Sequence, residues 1–373
     1  MFSLMRVATE LPSVRCHRML AACGLALALS SLVAPTRAAD ATKKSNTAKS
    51  PTPASATPTP EKPTPAGGSA LRNGIRLEDE IEVVNTRSIC GANADLMRKG
   101  LKVENYAICD DAGARRWQSS DLDSFLAFDP SVPTIIFIHG NQIGPGDAKS
   151  EGLLVYRKII LHGCDAPRIR FVIFSWPSSK VGGLLYDVRE KAARTEPAGW
   201  HLAWLVDQMP EETPISLVGF SFGARIITGG LHVYAGGSLG GQLKLAEHVH
   251  PHRAPMNVVL MAAASHSYWL AEGQHHGLAM SQVNRMLLIN NCDDRAMRYY
   301  DLLTPGRGGP QALGLCGPTR ISPQDAGKIF NRDVSRYVGP EHELSAYICA
   351  PGDPGLIWDY AGPKTASETK IGG

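Results

Sequence analysis

The chain reads as a doubly wound α/β fold around a mostly parallel sheet, and three observations carry that reading. Short continuous apolar runs recur along it, and longer stretches of helical periodicity separate them. One of the runs opens into a glycine-flanked serine turn with a helical pattern directly after it. A strand that is apolar at every position is buried on both faces, the condition inside a parallel sheet covered by helices on each side.

The elements follow in order. Ile81-Glu82-Val83-Val84 and Val103 to Cys109 are expected as early strands in a hairpin-like start. Thr134 to Ile138 (TIIFI), Phe171 to Phe174 (FVIF), Ile215 to Val218, Val258 to Met261 and Met286 to Ile289 are the continuous runs. Leu153 to Leu161, Leu184 to Met209 and Ala224 to Tyr234 suit helices, and Arg332 to Val338 suits a last strand. Ligands of such sheets bind at the carboxyl ends of the strands, which is where the chemistry is to be sought.

Composition bounds the rest. With 373 residues and 43% hydrophobic content, the chain has enough apolar surface for one large core or two modest ones. Lys plus Arg number 38 against 35 for Asp plus Glu, with no basic segment in the folded part, which argues against a nucleic-acid partner. Residues 1–39 read as an export signal: Arg6, Arg15 and Arg18, then the uncharged run Met19 to Ala34, then Thr36-Arg37-Ala38. Cleavage before Ala39 is expected, which makes the protein periplasmic or secreted. The run is short against the roughly 20 residues of a membrane span, and an uncleaved anchor is the alternative. Only in that case is a membrane a partner. Residues 40–70 are a linker, with Pro, Thr, Ser and Ala alternating from Ser50 to Pro65 and too little apolar surface to order it. One domain is expected over 71–373. Cys90, Cys109, Cys164, Cys292, Cys316 and Cys349 lie within it as disulfide partners or buried free thiols, and the sequence does not choose a pairing. No C-x-x-C pair marks a zinc or redox site.

Pro214-Ile215-Ser216-Leu217-Val218 runs into Gly219-Phe220-Ser221-Phe222-Gly223, and Ala224-Arg225-Ile226-Ile227 follows. This is G-x-S-x-G between a strand and a helix, the context in which the glycines permit a sharp turn and lift a serine to the sheet edge. Ser221 is the candidate nucleophile, at a helix start whose dipole favours developing negative charge. The run TIIFI ends in His139-Gly140-Asn141. Backbone N–H groups of Phe222 and Asn141 are the candidate oxyanion donors, with Gln142 as the alternative second donor. His139 is assigned to packing or the turn, because the base follows the nucleophile in chain order in this fold.

Beyond Ser221, the run Met286 to Ile289 ends in Asn290-Asn291-Cys292-Asp293-Asp294. One aspartate orients the base and the other caps a helix starting at Arg295. His342 is the only histidine beyond Asp294 and is the candidate base. His248, His250 and His252 alternate, but they precede Val258 to Met261 and so fall at its amino end, away from the catalytic edge. A surface loop is expected there, not a metal site. His275-His276 sits in a polar stretch with no partner motif, and Gly236 to Gly241 and Gly306 to Gly309 are loops without a phosphate-binding signature.

With Phe174-Ser175-Trp176-Pro177-Ser178 closing its strand, I-F-I-H-G-N, G-F-S-F-G, Asp294-Arg295-Ala296 and His342, the stretch from about Ile81 to Ile348 resembles a poorly characterised bacterial family of α/β-hydrolases. The resemblance implies the α/β-hydrolase fold, hydrolysis, and Asp294 rather than Asp293 as the orienting acid. The chain departs from that pattern at F-S-F-G, where H-S-M-G is frequent, and at Ala262 to His266, where an aspartate is frequent.

The expected chemistry is acyl transfer to water. Ser221 attacks an ester-like, or amide, carbonyl of a small-molecule substrate, His342 takes its proton and Asp294 fixes the imidazole tautomer. No cofactor or metal is required. Trp176 and Phe220 either wall an apolar acyl pocket or pack in the core. Two other functions share these motifs: a peptidase, and a non-catalytic binding or scaffold protein that retains the fold.

Overall fold

The computed structural model describes residues 71–110, 114–246, 248–249, 252–303 and 309–363. The expected export segment and linker lie outside these residues, as does His250. Strands β1 (Leu71–Arg72) and β2 (Ile75–Arg76) form a small antiparallel hairpin. The main sheet has nine strands: β3 (Glu80–Asn85), β4 (Lys102–Ile108), β5 (Arg115–Ser120), β6 (Thr134–Ile138), β7 (Arg170–Ser175), β8 (Ile215–Phe220), β9 (Met256–Met261), β10 (Val283–Asn290) and β11 (Ile329–Asp333). Their order is β11-β10-β9-β8-β6-β7-β3-β4-β5, and only β4 runs against the others.

Strand β6 shows why the sheet is covered on both faces. All five of its residues are buried. Ile136 and Ile138 enter one apolar cluster, together with α4 (Leu184–Gln208) and α5 (Phe222–Tyr234). Ile135 and Phe137 point the other way, into a cluster with α3 (Pro145–Ile160) and the C-terminal helix Asp353–Ala361. Successive side chains of a strand alternate between faces, so a continuous apolar run feeds two cores at once. Each such side chain contributes about 1.5–3 kcal/mol by burial.

From β6 the chain steps to β7 on one side and then crosses to β8 on the other. The two loops leaving β6 and β8 therefore diverge, and a crevice opens at their carboxyl ends. This is the α/β-hydrolase fold, with the serine turn at that crevice.

Three local expectations are corrected. Strand β5 was not anticipated, because Arg115 to Ser120 holds one large apolar residue, Trp117, on an edge with exposed neighbours. The last strand is Ile329–Asp333, ending before Val338. Asp333 Oδ1 accepts from the Ser335 N–H at 2.9 Å and turns the chain into a short helix, Ser335–Val338. The helix between β6 and β7 begins at Pro145, a full two turns before Leu153, where proline at the first position is pre-set for helix.

Candidate active site

Ser221 has φ +54° and ψ −116°, a conformation that costs a non-glycine residue about 1–3 kcal/mol. Three backbone hydrogen bonds hold it: Ser221 N–H to Met261 C=O at 2.9 Å, and the Ala224 and Ala264 N–H groups to Ser221 C=O, each at 3.1 Å. The flanking glycines are needed for space. A Cβ on Gly223 would stand 2.1 Å from the Ile138 carbonyl oxygen, and one on Gly219 would stand 2.8 Å from the Ala224 nitrogen. The turn thus presses against β6, whose next residues are His139, Gly140 and Asn141. Helix α5 starts at Phe222, and neither the Phe222 nor the Asn141 backbone N–H finds an internal acceptor among the described residues.

Asp187, at the start of α4, anchors the loop that follows β6. Its Oδ2 accepts from Asn141 Nδ2 at 3.0 Å and Gln142 Nε2 at 3.2 Å, while Oδ1 accepts from the Val181 N–H at 2.6 Å and Lys191 Nζ at 3.2 Å. Burial pushes the Asp187 carboxyl up, but these donors outweigh it and hold the group below its ordinary value. Gln142 itself sits at φ +59°. His139 is fully buried; burial drives its imidazole down to about 3, so it stays neutral. Its Nε2 accepts from Arg87 at 3.2 Å and its Nδ1 donates to the Gly140 carbonyl at 3.0 Å.

Across the crevice, His342 Nε2 lies 3.0 Å from Ser221 Oγ and His342 Nδ1 lies 2.6 Å from Asp294 Oδ2. Asp294 is fully buried, and its two oxygens divide two tasks. Oδ2 takes His342 and the Tyr347 hydroxyl, the latter at 2.6 Å, while Oδ1 caps the helix Arg295–Arg298 through the Met297 N–H at 3.0 Å. The sequence reading gave orienting and capping to one aspartate each; here Asp294 does both. Asp293 is exposed and pairs with Arg298 at 2.7 Å. Burial raises the Asp294 carboxyl, but the hydrogen bond and charge of His342, then Tyr347 and the Met297 N–H, hold it below its ordinary value. The loop carrying His342 is tied to the segment around Asp294 by Asn291 Nδ2 to the Gly339 carbonyl at 2.8 Å and by the Arg295 N–H to the Pro340 carbonyl at 3.3 Å.

Of the two aromatic residues expected to wall a pocket or pack in the core, Trp176 packs in the core. It is fully buried, and its indole N–H donates to the His139 carbonyl at 2.9 Å. Phe220 lies beneath His342, the two ring centroids 5.1 Å apart. His276, read as part of a polar loop, is buried and bonded to Thr228 at 2.8 Å. His248 pairs with Asp207 at 3.1 Å. The six cysteines of the domain are free thiols.

The sequence reading missed Asp187 and Tyr347. Asp187 is separated from Asn141 by 46 residues and Tyr347 from Asp294 by 53, so no local spacing announces either.

Among solved structures, the chain is similar to acetyl xylan esterase, at 14% identity and TM-score 0.33, over 62% of this chain and 96% of that one. It is also similar to acyl-protein thioesterase 2 of Zea mays, at 14% identity and TM-score 0.30, over 62% and 92%. A thermophilic esterase of Thermogutta terrifontis, Est2, matches at 12% identity and TM-score 0.27, over 64% and 88%. No family model and no curated protein sequence matches the chain, so its chemistry is argued from its own residues.

Proposed function

We propose that the protein is a serine hydrolase that cleaves an ester-like bond through an acyl-enzyme. The observation that carries this is the unbroken line Ser221 Oγ, His342, Asp294, with spacings of 3.0 and 2.6 Å. Ser221 Oγ attacks the carbonyl carbon while His342 Nε2 takes the hydroxyl proton. Asp294, kept ionised, holds the Nδ1–H tautomer and stabilises the imidazolium. The N–H groups of Phe222 and Asn141 receive the oxyanion. His342 then protonates the departing alcohol and later draws a proton from the water that releases the acid. A strained serine within reach of an oriented imidazole favours this reading over a scaffold that only retains the fold, since such a scaffold has no use for the strain.

A fluorophosphonate probe is expected to label Ser221, and Ser221→Ala to abolish both labelling and turnover of a p-nitrophenyl ester in a folded protein. Folded wild-type protein that stays unlabelled at mildly alkaline pH overturns the reading.

A further inference from the structure

Beside the elbow lies a cluster that the hydrolytic machinery does not use. Arg225 sits one turn into α5, and helical side chains lean toward the helix N-terminus, so its guanidinium lies over the elbow end of α5. It stands 4.6 Å from the ring centroid of Trp269 and 5.9 Å from that of Phe222. Its Nε is buried with no hydrogen-bond partner, and no carboxylate oxygen among the described residues comes within ion-pair distance of it. Glu196 faces Arg225 but is held by His275 Nε2 at 3.4 Å. The Tyr300 hydroxyl lies 2.9 Å from His266 Nδ1, and the His266 ring packs against Trp269, its centroid 4.2 Å from that of the indole. The loop carrying His266 is fastened to the elbow through the Ala264 N–H to Ser221 C=O bond.

An arginine that is partly exposed, stacked on an indole and without a carboxylate partner is an anion receptor in waiting. We infer that the substrate carries a carboxylate a few atoms from its scissile carbonyl, and that Arg225, with His266 beside it, binds that carboxylate. The preferred substrates are then half-esters of dicarboxylic acids rather than neutral esters. The inference rests on Ser221 as nucleophile and adds the substrate class.

The test compares methyl hydrogen adipate with methyl hexanoate by proton release. The wild type is expected to favour the anionic ester at least tenfold in kcat/KM. Arg225→Gln should bring the ratio to about one through a raised KM for the anionic ester, and Arg225→Lys should retain part of the preference. Arg116→Gln, on exposed edge strand β5, should keep the full ratio. If Arg225→Gln does not fold, the wild-type ratio and Arg225→Lys decide. A wild type that labels with fluorophosphonate yet handles the two esters equally, or prefers the neutral one, overturns the inference. Loss of labelling strikes the nucleophile reading instead.

Discussion

The two sides of the crevice are built by different means. On the nucleophile side, backbone does the positioning. Ser221 is held by main-chain bonds to Met261 and Ala264, and the space around it is set by Gly219 and Gly223 against the main chain of α5 and β6. On the acid–base side, side chains do most of it, beside one main-chain bond from Arg295 to Pro340. Asp294 is placed by its bonds to His342, Tyr347 and the Met297 N–H, and the His342 loop by Asn291. A backbone-built site has no spare rotamer and shifts only if the fold shifts. A side-chain-built site loses function when one polar atom changes, with the fold intact. This difference orders the expected effects of substitution.

The largest falls on the acid–base side. Asp294→Asn should cost about 10⁴ in turnover, since the amide no longer favours the Nδ1–H tautomer. Its circular dichroism should remain that of the wild type, because the remaining oxygen still caps the helix. Equal losses of activity and fold would show that the two sides do not differ as argued.

Gly223→Ala attacks the nucleophile side and should do the reverse. A methyl group 2.1 Å from the Ile138 carbonyl oxygen forces β6 and α5 apart. The expected cost is about 3 kcal/mol or more of stability, read by denaturant unfolding, with activity falling in step. A variant with wild-type stability and lost activity would contradict a backbone-built elbow.

A smaller effect comes from Glu151 on α3, whose Oε2 is buried without a hydrogen-bond partner. Burial, then the charges of Glu343 and Asp147, raise its carboxyl to about 7 from an ordinary 4.5. Glu343 adjoins His342, so this charge borders the acid–base side. The folded chain keeps a proton that the unfolded chain releases. Stability from this group is therefore fully present below about pH 4.5 and is lost as pH rises to about 7. The loss is at most about 3 kcal/mol, and less for a side chain partly in contact with water. Glu151→Gln should match the wild type in melting temperature near pH 4.5 and exceed it by a few degrees at pH 8. The same gap at both pH values would exclude the titration.

The smallest effect is expected of Asp293→Asn, which removes only an exposed ion pair with Arg298. It should cost less than about 1 kcal/mol and leave turnover unchanged. If instead it abolished activity while Asp294→Asn did not, the roles of the two aspartates would be exchanged.

How much of this was legible beforehand follows from the same division. The sheet was readable because a nearly all-apolar strand such as TIIFI, buried at every position, has no other stable place than between two cores. The elbow was readable because its requirements are local: two glycines, a serine, a strand before and a helix after. His342 was readable as a candidate by elimination, as the only histidine beyond Asp294. Edge strand β5 was not, since Arg115 to Ser120 has no continuous apolar run and pairs only because β4 lies alongside.

The chain's local patterns are sufficient for the strand-turn-helix at Ser221, because that turn depends on residues adjacent in sequence. They are silent on Asp187 beneath the oxyanion loop, on Tyr347 beside Asp294, on Trp176 in the core and on Arg225 left without a carboxylate. Each of these depends on which side chains from distant segments meet in a low-dielectric interior. A hydrogen bond or an unpaired charge there has meaning only once every neighbour is in place.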